Sequence, residues 1–86
     1  MKKISVMITG CAVSREEAQE IGRVLAAKDN PDTDVVARYN RLTNSCSPCC
    51  LKEKFGDRPG WEVYGENHGG RLKININAGD YIFIFS

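Results

Sequence analysis

Eighty-six residues make a single domain, 1–86, and a chain this short buries about two thirds or less of the surface it exposes when unfolded. A hydrophobic content of 42% excludes a disordered chain, and a formal net charge of +1 supplies no pull toward nucleic acid or an anionic membrane. No run approaches the roughly 18 apolar residues of a membrane helix.

Ile4, Val6 and Ile8 alternate with Ser5, Met7 and Thr9, which predicts a half-buried strand. The same stretch, with Lys2-Lys3 before it and Thr9-Gly10-Cys11 after it, imitates a bacterial lipoprotein signal. Its apolar run is about five residues, where a secretory core needs roughly 7–15. The chain is therefore read as cytoplasmic, a compartment in which cysteines are thiols or ligands more often than bridges. Ser14 caps a helix, because Glu17 stands three residues later and completes a capping box. The helix runs from Arg15 to Lys28 with Ala18, Ile21, Gly22 and Leu25 inward, and Asn30-Pro31 stops it. Gly22 costs helix stability but lets the helix sit close on a sheet.

From Asp34 to Leu42, strand alternation fails at Arg38 and Arg41. Val35, Val36, Tyr39 and Leu42 share one helical face, so the stretch is read as a helix. A shorter helix is expected to start at the cysteines, with Ser47 as cap, Pro48 in the first turn and Gly56 as the stop. Trp61 to Tyr64 reads as a strand, and Gly65 to Gly70 as a glycine-rich loop. Leu72, Ile74 and Ile76 alternate with polar residues, and Ala78-Gly79-Asp80 forms a tight turn. Tyr81 to Phe85 is apolar on both faces, which makes it either a covered central strand or one that offers a face to a partner. The expected fold class is α+β. About four largely antiparallel strands carry one main amphipathic helix on one face, and the cysteine-bearing segment covers the other face or an edge.

Three of the four cysteines fall at Cys46, Cys49 and Cys50. The two-residue gap between Cys46 and Cys49 suits two ligands of one tetrahedral zinc ion, with Cys50 as a third ligand and Cys11 or His68 as a fourth. A zinc ribbon would supply a second such pair, and this chain has none. Cys46-Ser47-Pro48-Cys49 is also similar to the active-site motif of thioredoxins, which implies a thiol couple activated at a helix amino terminus. A strand followed by Cys11-Ala12-Val13-Ser14 and a helix resembles the opening of a monothiol glutaredoxin. The plainer reading outweighs these: free cysteine behaves as a small buried hydrophobe, and the cluster continues the stripe of Val35, Tyr39 and Leu42.

No set of residues completes a catalytic motif, so the expectation is a non-enzymatic intracellular binding domain, without a cofactor, that regulates or inhibits a protein partner by contact. The alternative is a zinc or thiol redox module built on Cys46, Cys49 and Cys50. Large aromatics anchor interfaces, which nominates Phe55, Trp61, Tyr64, Tyr81 and Phe83 as contact residues. The last strand is the expected seam of a homodimer, and no nucleic-acid or membrane partner is expected.

Overall fold

A computed structural model describes residues 2–43, 45–47, 54–55 and 58–86. Along the chain run β1 (Lys2–Val6), α1 (Arg15–Asp29), β2 (Val35–Asn40), β3 (Ser45–Ser47), β4 (Lys54–Phe55), β5 (Arg58–Pro59), α2 (Gly60–Asn67), β6 (Leu72–Ile76) and β7 (Tyr81–Phe85). The α+β class stands, with a main sheet of five strands in the order β1-β6-β7-β2-β3. β1 runs parallel to β6, and the other neighbours in that sheet are antiparallel. β4 and β5 pair separately.

β7 lies at the centre, hydrogen-bonded to β6 on one edge and to β2 on the other. Its two apolar faces are thereby explained: Tyr81, Phe83 and Phe85 pack beneath α1, while Ile84 packs with Trp61 and Ala37 on the opposite face. Neither edge of β7 is free to pair with a strand of a second copy. α1 presses Ala18, Ile21, Leu25 and Ala26 onto the β6–β7 surface, where Leu72, Ile74, Phe83 and Phe85 are almost wholly enclosed. Gly22 allows this approach, since a Cβ there would lie 3.1 Å from the Phe85 ring.

The capping box forms as expected, with the Glu17 N–H donating to Ser14 Oγ at 3.2 Å and the Ser14 N–H to Glu17 Oε1 at 3.0 Å. The Ser14 backbone N–H, and then its hydroxyl, hold the Glu17 carboxyl below its ordinary value of 4.5. A lowered folded pKa means that this contribution to stability is present above pH 4.5 and is lost as pH falls through the lowered value. Acid melting curves followed by circular dichroism should show the loss in the wild type. Glu17→Gln keeps the box without the charge and should show a flatter profile below pH 4.5; identical profiles would overturn the linkage.

The stretch read as a helix over 34–42 is β2. A bulge between Val35 and Ala37 explains the error, because one extra residue shifts the alternation by one. Val35 faces α1, whereas Ala37 and Tyr39 beyond the bulge face the other way. The segment 61–64, read as a strand, belongs to α2. Trp, Val and Tyr favour strands, but here tertiary packing overrides propensity. Trp61 and Gly65, one turn apart, are both buried in the helix. Gly69, at φ +90°, turns the chain, and the Gly70 N–H donates to the Gly65 carbonyl at 2.8 Å, which closes a Schellman motif. The helix expected from Ser47 is also corrected at both ends, since Ser47 lies in β3 and Lys54–Phe55 form β4. Its remainder lies outside the described residues. α2 packs Trp61 on the second face, and Cys46 lies in β3, the strand at one edge of the main sheet.

The expected turn after β6 is present, with Asn77, Ala78 and Gly79 all at positive φ. Asn77 Oδ1 accepts the Ile8 N–H at 2.7 Å, and the Asn77 N–H donates to the Val6 carbonyl at 2.8 Å. The Tyr81 hydroxyl donates to the Val13 carbonyl at 2.8 Å. These bonds fix the path from β1 into α1 and so set where α1 begins.

Candidate functional site

A five-strand sheet is roughly 19 Å wide, whereas one helix covers about 10 Å. α1 lies over β6 and β7, so among the described residues the β2–β3 side of that face has no helix above it. The pairing of Arg38 with Phe83 and of Asn40 with Tyr81 places both polar residues on the α1 face, and Ser45, opposite Asn40, joins them. The result is a cleft of about 370 Å³ lined by Arg15, Arg38, Asn40 and Ser45 over Phe83. Tyr39 and Cys46 also line it, while they pack against the Trp61 cluster of the opposite face.

Two guanidinium groups thus share one cleft, and no Asp or Glu is among the described residues that line it. Arg38 is half-buried, and its Nη1 donates to the neutral Oε1 of Gln19 at 3.2 Å; it has no ion pair among the described residues. Arg15 is the first residue of α1, where a cation meets the positive end of the helix dipole. Its ion pair is to Glu16 at 3.2 Å, and the Glu16 side chain is 74% exposed, so solvent weakens the compensation. Charge placed against the local electrostatics in this way is characteristic of binding sites. Chemically, the lining offers guanidinium, amide and hydroxyl donors above an apolar floor, which suits an anionic group carried on an organic chain.

The residues nominated from sequence distribute differently. Trp61, Tyr81 and Phe83 are core residues, at 6%, 5% and 1% exposure, so the surface expected on these aromatics is corrected. Trp61 stacks on Tyr39 with ring centroids 5.4 Å apart. Tyr64 is half-buried and stacks on His68, and the Phe55 side chain lies outside the described residues. Cys11 is exposed in the loop before α1, and Cys46 is half-buried in β3. Cys49 and Cys50 lie outside the described residues. His68 stands just beyond α2, its Nδ1 2.8 Å from the Tyr64 carbonyl. Among the described residues, no three His, Cys, Asp or Glu are placed to hold one metal ion. Among them, too, no helix is long and apolar enough to cross a membrane. Sequence reasoning missed Arg15 and Arg38 as site residues. The available signals were the cation at a helix start and the arginine that interrupts β2's apolar pattern.

The fold and the sequence have relatives. The crystal structure of AF1514 from Archaeoglobus fulgidus superposes on the whole chain and on 93% of its own, with a TM-score of 0.80 and 30% sequence identity. An uncharacterized protein of Archaeoglobus fulgidus is 34% identical over 74 residues, covering 83% of this chain and 74% of the relative. With residues 1–85 matching the domain of unknown function DUF5619, this chain belongs to that family.

Proposed function

We propose that this protein is a non-enzymatic intracellular binding domain that regulates or inhibits a protein partner by contact, and that an acidic side chain of the partner enters the Arg15–Arg38 cleft. The observation that carries this reading is Arg38, a half-buried guanidinium bonded to a neutral amide in a cleft whose described lining holds no acid. A carboxylate there can accept a forked pair of charge-assisted hydrogen bonds, and Asn40 and Ser45 stand by to satisfy its remaining lone pairs. It would also relieve the repulsion between the two arginines.

The test is a titration of isotope-labelled protein with a capped peptide bearing one glutamate, read by amide shifts at low salt. Shifts are expected at residues 14–19 and 38–46. Arg38→Gln should weaken binding about tenfold, the effect of one charge-assisted hydrogen-bonded pair. Added salt should weaken it further. Equal binding by Arg38→Gln, or equal binding of a lysine peptide, would overturn the proposal.

A further inference from the structure

The cleft does not stop at Arg15. A groove of about 350 Å³ continues from it along α1, lined by Arg15, Glu16, Gln19, Glu20, Arg23 and Arg38. Arg15, Gln19 and Arg23 stand four residues apart on one stripe of the helix, and Arg38 bonds to Gln19 from the strand side. The charges lining the groove follow an order along the helix axis. Arg15 and Arg38 make one end positive, Glu16 and Glu20 make the middle negative, and Arg23 makes the far end positive. Arg15 and Arg23 are separated by about 12 Å of helix rise.

We infer that the partner's segment is extended and carries an acidic, a basic and an acidic residue at alternate positions. This rests on the binding role proposed for the cleft. In an extended chain, residues i, i+2 and i+4 point the same way and span about 13 Å, which matches the spacing of the two positive ends. The first acid meets Arg15 and Arg38, the base meets Glu16 and Glu20, and the second acid meets Arg23. The pattern reads the same in both directions, so it does not depend on which way the segment runs. A uniformly acidic segment fits less well, because its middle would meet two glutamates.

Calorimetry at low salt with three capped peptides tests this: Ala-Glu-Ala-Lys-Ala-Glu-Ala, the same composition permuted to Ala-Lys-Ala-Glu-Ala-Glu-Ala, and a peptide with a single glutamate. The first is expected to bind about fivefold more tightly than the permuted one, as befits exposed charge pairs. Arg23→Gln, an exposed substitution whose folding is checked by melting, should remove that advantage and leave single-acid binding intact. Arg38→Gln should weaken all three. Equal affinity for the ordered and permuted peptides overturns this inference, while the single-glutamate peptide still reports on the cleft. No Arg38-dependent binding of any peptide overturns both. Inorganic phosphate binding more tightly than every peptide, again through Arg38, would identify a small-anion site and overturn the peptide proposal.

Discussion

Phe83→Ala is expected to cost about 3–5 kcal/mol, the usual range for an enclosed phenylalanine. The side chain is 1% exposed and sits in the central strand, between Ile74 of β6 and Arg38 of β2 in the pairing. Its ring lies 6.2 Å from that of Phe85 at a tilt of 45°, so the two aromatics form one unit beneath α1. Removing it opens a cavity under the helix and takes away the floor of the cleft at the same time. For 86 residues the total stability is expected at about 4–13 kcal/mol, so the variant loses a large share of it. Urea denaturation would measure the loss, with Phe83→Leu as the comparison, expected to lose much less because it keeps most of the volume. Equal midpoints for Phe83→Ala and the wild type would show that β7 is not the centre of the core.

Gly70→Ala should cost about 3 kcal/mol, at the upper end for overpacking. The new Cβ would press on the carbonyl of Gly65 and lie 2.6 Å from Ile84 Cγ2. Neither neighbour yields easily. The carbonyl is backbone and accepts the Gly70 N–H, so moving it breaks the bond that closes α2, and Ile84 is fully buried in β7. Gly69→Ala supplies the control. Gly69 has φ +90°, and an added methyl there would meet nothing within 4 Å, so it should lose about 1–2 kcal/mol through backbone strain alone. The two variants separate close contact from conformational freedom, and a thermal melt in which Gly69→Ala is the worse of the two would contradict the packing described for α2.

The elements that could be read from sequence were those whose pattern is set within the element itself. The capping box of Ser14 and Glu17, the alternation of Leu72, Ile74 and Ile76, and the turn after Ile76 all depend on local chemistry. β2 was illegible because its bulge breaks the period, and Arg38 and Asn40 face a cleft on the side where apolar residues would have marked a strand. α2 was illegible for another reason: Gly65 serves close approach to Ile84, although a glycine beside Trp61, Val63 and Tyr64 looks like the end of a strand. The candidate site was hidden because it follows from the mismatch in width between sheet and helix. That mismatch belongs to the assembled layers, and no single segment records it.

The central position of β7 reverses the order of birth and the order of assembly. β1 and β2 are made early, but in the finished sheet β6 and β7 stand between them. A growing chain that has reached β3 therefore holds an amphipathic helix and strands without the neighbours that will bury them. The late β6–β7 hairpin, joined by a short turn, needs little loop closure and provides the surface on which earlier elements dock. Until those last strands appear, the apolar stripe of α1 lacks the surface that buries it in the finished fold, a state in which non-native contacts compete with native ones.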